Sequence, residues 1–300
     1  AWKAVSERFK TIEIHNNFTQ TYEIVSTVIQ KDKKWFEKFK VEHKSDFLLL
    51  QESMEKVGLF ADLPDKVSKE LIYSAYPLDF SSLFILPRIS ELVAQNERTI
   101  FTFLASNQKN SLTDFINNVD DDFPLITPDY VYDYFEQLFR NENYNSQTFK
   151  IWTNCRNAIS RLESQTTNPL VYKILKCIAI ILILQQQDNR LTPTIDTITK
   201  IYLTKEKSIE KINEAFKELK RLGAINILDY NNFLSISKGS NIDVQKYIEN
   251  GMAKFKNNFI PKDELNNLIK NKYLYPARYN DINAITRYFK VEFIEDKEIL

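Results

Sequence analysis

Glycine is scarce in this chain, and its scarcity limits the folds that the chain can adopt. Four glycines and nine prolines occur among 300 residues, so few positions favour tight turns between closely spaced strands. Several long segments instead repeat apolar residues at helical spacing. The sequence therefore predicts a mainly α fold whose helices are joined by short polar connections. The length of the chain favours two or three domains.

Charge and cysteine content narrow the functional classes. Forty basic and forty acidic side chains leave a formal net charge of zero, so attraction to nucleic acid or to a membrane has to come from a local patch. Neither Cys155 nor Cys177 has a second cysteine or a histidine at metal-ligand spacing. We therefore expect no disulfide framework, no metal site and a cytoplasmic protein.

The longest apolar run is CIAIILIL, from Cys177 to Leu184. It is far shorter than the roughly 20 residues that cross a bilayer, so it predicts a buried helix and no membrane anchor. The chain begins at Ala1 without a methionine or a signal peptide, and it ends in FIEDKEIL, which we interpret as a strand. Both ends are therefore expected to be cut from a longer protein.

The N-terminal region combines a predicted strand with helices. ERFKTIEI, from Glu7 to Ile14, has the alternation of a short strand, and Tyr22–Gly58 is strongly helical. Within it, Lys31–Lys40 is basic and contains three aromatic residues, Trp35, Phe36 and Phe39. Such a segment can grip and stack on a nucleic acid, but a helix with buried rings and solvated lysines has the same pattern. We favour the structural interpretation.

The segment AQNERTIFTFLASN predicts a short amphipathic helix. Its large apolar residues recur at helical spacing from Ile100 onward, so the helix would begin near Glu97 with Asn96 as its N-cap. Arg98 would then lie in the first turn, where backbone N–H groups favour an anion and a guanidinium group suits phosphate. A pairing of Arg98 with a nearby carboxylate is the alternative.

Prolines and polar residues mark further boundaries. We expect two or three helices within Leu63–Asn107, interrupted at Pro77 and Pro87, and Pro87 suits the first turn of a helix. Thr127 precedes a proline at the start of another predicted helix, TPDYVYDYFEQLF. The acids of Asp120–Asp122 could do glycosidase or metal chemistry, but a solvated turn is the favoured interpretation.

From Leu170 onward the pattern indicates a winged-helix domain. A buried helix through Leu184 is followed by TPTIDTITKIYL and by KSIEKINEAFKELKRLG, which has a clear apolar stripe. Two short β-prone runs joined through Asp229–Asn232 then predict a hairpin. The order helix, helix, helix, hairpin predicts a winged helix whose third helix would be the recognition helix.

Charges on that third helix allow two interpretations. Its basic residues, which could neutralise phosphates, are Lys205, Lys207, Lys211, Lys217, Lys220 and Arg221. A row of glutamates recurs every four residues along the same segment, at Glu206, Glu210, Glu214 and Glu218. Because these acids weaken the field of the lysines, we favour contact with protein over direct reading of DNA.

The sequence contains no complete active site. None of the four glycines is followed by Lys-Ser or Lys-Thr, so a phosphate-binding P-loop is absent from the sequence. The two histidines, His15 and His43, lie outside any nucleophile or zinc-ligand motif. Acyl transfer and metallohydrolysis are therefore weak hypotheses.

Several segments together resemble a known family. ERFKTIEI followed by helices resembles the end of an AAA+ ATPase core, where an Arg-Phe before the last strand leads into a helical lid. The later segments, above all QNERTIFTFL, resemble the lid and following domains of large bacterial AAA+ or STAND-like P-loop ATPases, including those of BREX-type phage-defence systems. ITRYFKVEFI resembles the segment that opens the next domain of such proteins.

This resemblance implies a nucleotide-sensing lid and winged-helix section of an ATPase. ATP and Mg²⁺ would be bound by a preceding core of the same protein and not by this chain alone. Asn96, Glu97 and Arg98 would lie at the nucleotide, with Arg98 as a sensor arginine and Arg8 as an arginine finger for a neighbouring subunit. Other partners would be defence-system proteins or DNA. A DNA-binding regulator and an interaction scaffold are the alternatives.

The expected domains combine this resemblance with the predicted winged-helix order. Residues 1–60 would contain the end of the ATPase core and the first lid helices, and residues 61–165 a helical lid or bundle. Residues 166–252 would form the winged helix, and residues 253–300 would open a further α+β segment.

Overall fold

The computed structural model describes residues 18–94, 98–238, 261–269 and 272–294. The chain divides into two compact units, Ala1–Gly239 and Ser240–Leu300. Their described parts are mainly helical with two small antiparallel strand pairs, so the predicted fold class of a helical bundle with a small β-hairpin is confirmed. The division into four domains stays a prediction.

The first unit begins with helices that are separated by short turns. They are α1 (Phe18–Val28), α2 (Lys33–Glu42), α3 (Lys44–Val57), α4 (Asp65–Ser74) and α5 (Phe80–Ala94). Asp32 caps α2 by accepting a hydrogen bond from the backbone N–H of Trp35. Gly58 ends α3 in the left-handed conformation, with φ 75°, which glycine adopts without steric cost.

The middle of this unit continues the bundle. Its helices are α6 (Arg98–Ala105), α7 (Leu112–Asn118), α8 (Pro128–Asn141) and α9 (Gln147–Leu162). The amphipathic helix predicted near residue 98 is confirmed, since Ile100, Phe103 and Leu104 are buried. The start of α8 at Pro128, after Thr127, is confirmed as well.

The last part of the first unit contains three helices and a hairpin in the predicted order. These elements, together called the winged-helix unit, are α10 (Pro169–Leu184), α11 (Ile195–Glu206), α12 (Ile209–Arg221), β1 (Ile225–Ile227) and β2 (Leu234–Ile236). In the hairpin, Ile225 pairs with Ile236 and Ile227 pairs with Leu234. The chain leaves α12 through Gly223, whose φ of 63° favours glycine.

Helix α10 joins the bundle to the winged-helix unit. It packs against α5, α8 and α9 and also against α12 and β2. This explains why its sequence is apolar on nearly every side, because a helix surrounded by other elements has no solvated face. The predicted buried helix is confirmed. Among the helices described, none is long and apolar enough to cross a membrane.

Two local predictions were wrong. Pro87 lies inside α5 rather than in its first turn, because Asp79 starts the helix earlier by accepting hydrogen bonds from the backbone N–H groups of Ser81 and Ser82. Lys205 and Lys207 do not belong to the third helix of the winged-helix unit. Lys205 lies in the last turn of α11 and Lys207 is its C-cap, with φ 52°.

The second unit is described in part. Its elements are α13 (Pro261–Leu268), β3 (Tyr273–Leu274), α14 (Ala277–Asn283) and β4 (Phe289–Lys290). Strands β3 and β4 pair antiparallel, with Tyr273 opposite Lys290. The side chains of both strands are exposed.

Candidate interaction site on the winged-helix unit

Helix α12 separates an apolar face from a charged face. Ile212, Phe216 and Leu219 are buried against the neighbouring elements of the winged-helix unit. The N-terminus is fixed by Ser208, whose Oγ accepts a hydrogen bond from the backbone N–H of Lys211 at 3.3 Å. Capping and burial together hold the helix in place, so its opposite face is a preformed surface.

The predicted basic residues do not all reach that surface. Lys211, Lys217, Lys220 and Arg221 lie on α12 and are exposed. Lys207 precedes the helix, and its Nζ lies 2.9 Å from Oδ1 of Asp46 on α3. Its charge is therefore directed at a carboxylate of the protein and contributes little to attracting a phosphate.

The Asp46 carboxylate is held in its charged form by this contact. Burial alone would raise its pKa, but hydrogen bonds from Lys207 and His43 outweigh that effect, and the pKa of Asp46 is lowered. The distance from Nδ1 of His43 to Oδ2 of Asp46 is 3.1 Å. Lys207 thus links the turn before α12 to the bundle.

Acidic side chains share the charged face of α12. Glu210 and Glu214 are exposed, and Glu218 is half-buried. Glu214 lies one helical turn from both Lys211 and Lys217, which is the spacing at which side chains on a helix interact. The opposite charges partly cancel, so the face carries a mixed pattern rather than a strong positive field.

A pocket of about 390 Å³ adjoins the same face. Two lysines, Lys173 and Lys211, and two glutamates, Glu206 and Glu214, line it together with the first residues of α10. Because acids and bases are present in equal number, the pocket suits a partner that also carries both signs of charge.

The tip of the hairpin presents an exposed aromatic side chain of the winged-helix unit. Tyr230 is 82% exposed in the turn between β1 and β2. The turn contains Asn232 in the left-handed conformation, with φ 57°, which asparagine tolerates better than most residues. Exposed tyrosines are enriched at protein interfaces.

Most of the residues that the family resemblance assigns to a nucleotide lie outside the part of the chain that the structure describes. Arg8, Asn96 and Glu97 are outside the described residues. Arg98 is the first residue of α6, but its side chain is not described. Their roles stay predictions.

The structure contains a buried ionic cluster that was not predicted from the sequence. Arg88 on α5 is 1% exposed, and its Nε donates to Oδ2 of Asp188, which follows α10, at 2.7 Å. Its Nη1 donates to the hydroxyl of Tyr22 at 2.5 Å. The guanidinium carbon lies 3.6 Å from the ring centre of Phe84 and 4.1 Å from that of Phe18.

This cluster, called the Arg88 cluster, connects α1, α5 and the turn after α10. Arg190 adds a second cation, with Nη2 2.7 Å from Oδ2 of Asp188. Burial alone would raise the pKa of Asp188, but hydrogen bonds from Arg190 and Arg88 hold it well below its usual range. A single arginine within the apolar run FSSLFILPRISELV was the signal that could have revealed a buried ion pair.

The described residues offer neither a metal-binding cluster nor a reactive thiol. They contain no group of three or more histidine, cysteine, aspartate or glutamate side chains that could hold a metal ion. Cys155 and Cys177 are buried free thiols, and burial raises the pKa of Cys155 to about 12. Neither thiol is therefore suited to nucleophilic chemistry.

Comparison of the chain with protein-family models, with curated proteins and with solved structures found no match. Function therefore has to be inferred from geometry, burial and charge.

Proposed function

We propose that this chain is the docking section of a larger protein, in which the helical bundle holds the winged-helix unit and the charged face of α12 contacts another protein. The observation that carries the proposal is the mixed charge of that face. Exposed Lys211 and Lys217 alternate with Glu214, a pattern that gives specificity towards a partner of complementary charge.

The same observation argues against DNA as the main target. A protein that binds duplex DNA gains most of its affinity by neutralising phosphates, and each glutamate on α12 opposes that gain. Lys207, which precedes the would-be recognition helix, is paired with Asp46. The remaining basic side chains leave a small positive excess on the helix.

The helical packing supports a role in transmitting movement. Tyr202 on α11 donates a hydrogen bond to Asp129 on α8 at 2.7 Å, and Lys176 on α10 pairs with Asp133 on α8 at 2.7 Å. The bundle and the winged-helix unit therefore share a core. A displacement imposed on the bundle would carry α12 with it.

The family resemblance supplies the proposed context for such movement. In an AAA+ or STAND-like ATPase of a bacterial defence system, a preceding core would bind ATP and Mg²⁺, and Arg98 and Arg8 would report on the nucleotide. No step of hydrolysis is assigned to the residues that the structure describes. A DNA-binding regulator is the alternative function.

A binding experiment with duplex DNA separates docking from DNA recognition. The intact chain is titrated into a fluorescein-labelled duplex, and anisotropy is measured at low and at physiological ionic strength. We expect weak binding at low ionic strength that disappears at the higher one. Tight binding that survives physiological ionic strength and is lost in Lys211→Ala with Lys217→Ala would refute the docking proposal.

The ATPase context has its own test. ATP hydrolysis by the full-length parent protein is compared with that of its Arg98→Ala and Arg8→Ala variants at equal folded concentration. The resemblance predicts a fall of about tenfold or more, equivalent to about 1.4 kcal/mol of lost transition-state stabilisation. Unchanged turnover in both variants would remove these arginines from the nucleotide site while leaving the docking role of α12 in place.

A further inference from the structure

We propose a second docking site, which binds a protein segment that inserts a large apolar side chain and carries lysine or arginine beside it. The site, called the Trp35 pocket, lies between the turn that joins α1 to α2 and helix α7. It has a volume of about 390 Å³. None of its lining residues lines the pocket beside α12, so the two sites are separate.

The Trp35 pocket has an apolar interior with an exposed apolar border. Buried Phe39 and Tyr76 line its interior. Its border includes Trp35, which is 53% exposed, and Ile116, which is 55% exposed. Two large apolar side chains that flank one concave surface and remain in water favour a binding surface over isolated exposed residues.

The orientation of Trp35 is set before any partner arrives. Its backbone N–H donates to Oδ1 of Asp32 at 2.8 Å, as part of the N-cap of α2. Its ring stacks on that of Phe39, with ring centres 4.9 Å apart and an interplanar angle of 22°. A tryptophan that is already ordered loses little conformational entropy on binding, which makes it an effective interface anchor.

Carboxylates border the apolar interior. Asp121 and Asp122 line the Trp35 pocket, and Asp120 and Asp121 line an adjoining pocket of about 370 Å³. Both pockets are lined by Phe115 and Val119 of the α7 region. The acidic loop therefore borders two cavities that share lining residues from the same short helix.

Lys205, which lines the adjoining pocket, interacts electrostatically with Asp121, but the charges of Asp120 and Asp122 are not paired within the described part of the chain. Asp120 and Asp122 are exposed and make no ion pair with any residue whose placement the structure describes. The lysine of the pocket, Lys31, donates from Nζ to the backbone carbonyl of Ser74 at 2.6 Å. Burial lowers the pKa of Lys31 to about 8, so Lys31 stays mostly protonated near neutral pH, but its Nζ is held at a backbone carbonyl and not at a carboxylate.

Charge complementarity therefore selects the partner. An apolar side chain would enter beside Trp35, and basic side chains next to it would reach Asp120 and Asp122. A small apolar molecule inside the cavity would leave this acidic loop without a counter-charge. A protein segment with both features uses the whole surface.

The test is a titration of the intact chain into a fluorescein-labelled peptide, Arg-Lys-Phe-Leu-Arg-Lys, with anisotropy as the readout. Two control peptides replace either the basic residues by glutamate and aspartate or the two apolar residues by serine. We expect the first peptide to bind and both controls to bind at least about tenfold more weakly.

Matched variants locate the binding. Ile116→Ser and the double variant Asp120→Asn with Asp122→Asn change exposed side chains, and each is expected to weaken binding at least about tenfold. Val41→Ser and Asp229→Asn are the controls, since both residues are exposed and lie outside the pocket. Circular dichroism confirms that every variant is folded.

Four results would overturn the proposal. The first two are absence of binding by the basic apolar peptide and equal binding by either control peptide. The third is unchanged affinity in the pocket variants. The fourth is displacement of the peptide by phenylalanine amide at a concentration equal to the dissociation constant of the peptide. The last result would identify a small-molecule pocket. None of these outcomes depends on whether α12 contacts a protein.

Discussion

The Arg88 cluster and the charged face of α12 use the same residue types for different purposes. In the cluster, Arg88 is 1% exposed and each of its polar contacts is made within the protein. On α12, Lys211 and Glu214 are exposed and have no fixed partner in the described structure. Burial turns charge into a structural constraint, whereas exposure leaves it free to select a partner.

The comparison predicts that substitution of Arg88 lowers the free energy of unfolding more than any substitution on α12. Arg88→Met would remove the buried one of the two arginine partners of Asp188 and leave the Tyr22 hydroxyl without its donor. We expect a loss of about 3 to 5 kcal/mol in the free energy of unfolding, measured by urea denaturation. Lys217→Met on α12 is the control and is expected to change stability by about 0.5 kcal/mol or less. Similar losses in both variants would contradict the comparison.

An effect on stability that depends on pH is expected at Asp79. Burial raises the pKa of this carboxyl to about 7 from 3.8, so folding favours its protonated form. Its contribution to stability is complete below the ordinary pKa and is lost as pH rises through the folded value. Asp188 behaves in the opposite way, because its lowered pKa contributes stability above its ordinary pKa that is lost on acidification.

Asp79→Asn separates the two contributions. The variant keeps an oxygen that can accept from the backbone N–H groups of Ser81 and Ser82 but has no titrating proton. Relative to the variant, the native protein should lose stability between about pH 4 and about pH 7, as measured by urea denaturation across that range. A constant difference in the free energy of unfolding would show that Asp79 does not titrate there.

Breaking the Lys207–Asp46 pair should change the free energy of unfolding by an amount between those expected for the Arg88 cluster and for the charged face of α12. Lys207 is exposed while Asp46 is nearly buried, with side-chain exposures of 63% and 12%. Lys207→Met is expected to lower the free energy of unfolding by about 1 kcal/mol or less, and high salt should reduce the difference. A loss as large as that of Arg88→Met would mean that this lysine is part of the core structure and not of the surface.

The smallest effect on stability is expected for Glu214→Lys on α12. The free energy of unfolding should change by about 0.5 kcal/mol or less. The same substitution removes the acid between Lys211 and Lys217, so it should strengthen binding of the chain to duplex DNA at low ionic strength. Anisotropy with a labelled duplex checks this, and Glu70→Lys on α4 is the matched control. Equal binding by native and variant chains would show that Glu214 does not suppress DNA binding.

Local patterns predicted the winged-helix unit well. The apolar stripe of α12, the closing Gly223 and the turn between β1 and β2 each depend on residues close in sequence. The apolar run that ends at Leu184 predicted a buried helix for the same reason. Features determined by neighbouring residues are therefore readable before any tertiary contact is known.

Features that depend on distant partners were not predictable. Arg88 and Asp188 are separated by 100 residues, and the Trp35 pocket combines side chains from three distant segments. The sequence showed basic and aromatic residues near Trp35, and Phe36 and Phe39 are buried as the structural interpretation required. It did not show that Trp35 itself stays half-exposed beside an acidic loop, because that loop reaches it through the fold.

The most direct test of the docking function is site-specific photo-crosslinking in the full-length parent protein in cells. A photoreactive phenylalanine derivative is placed at exposed Asn213 on α12, and at exposed Val41 on α2 as the control. We predict protein adducts at Asn213 that are absent at Val41 and that Glu214→Lys diminishes. Nucleic-acid adducts at Asn213, or adducts that are equal at both positions, would contradict the account.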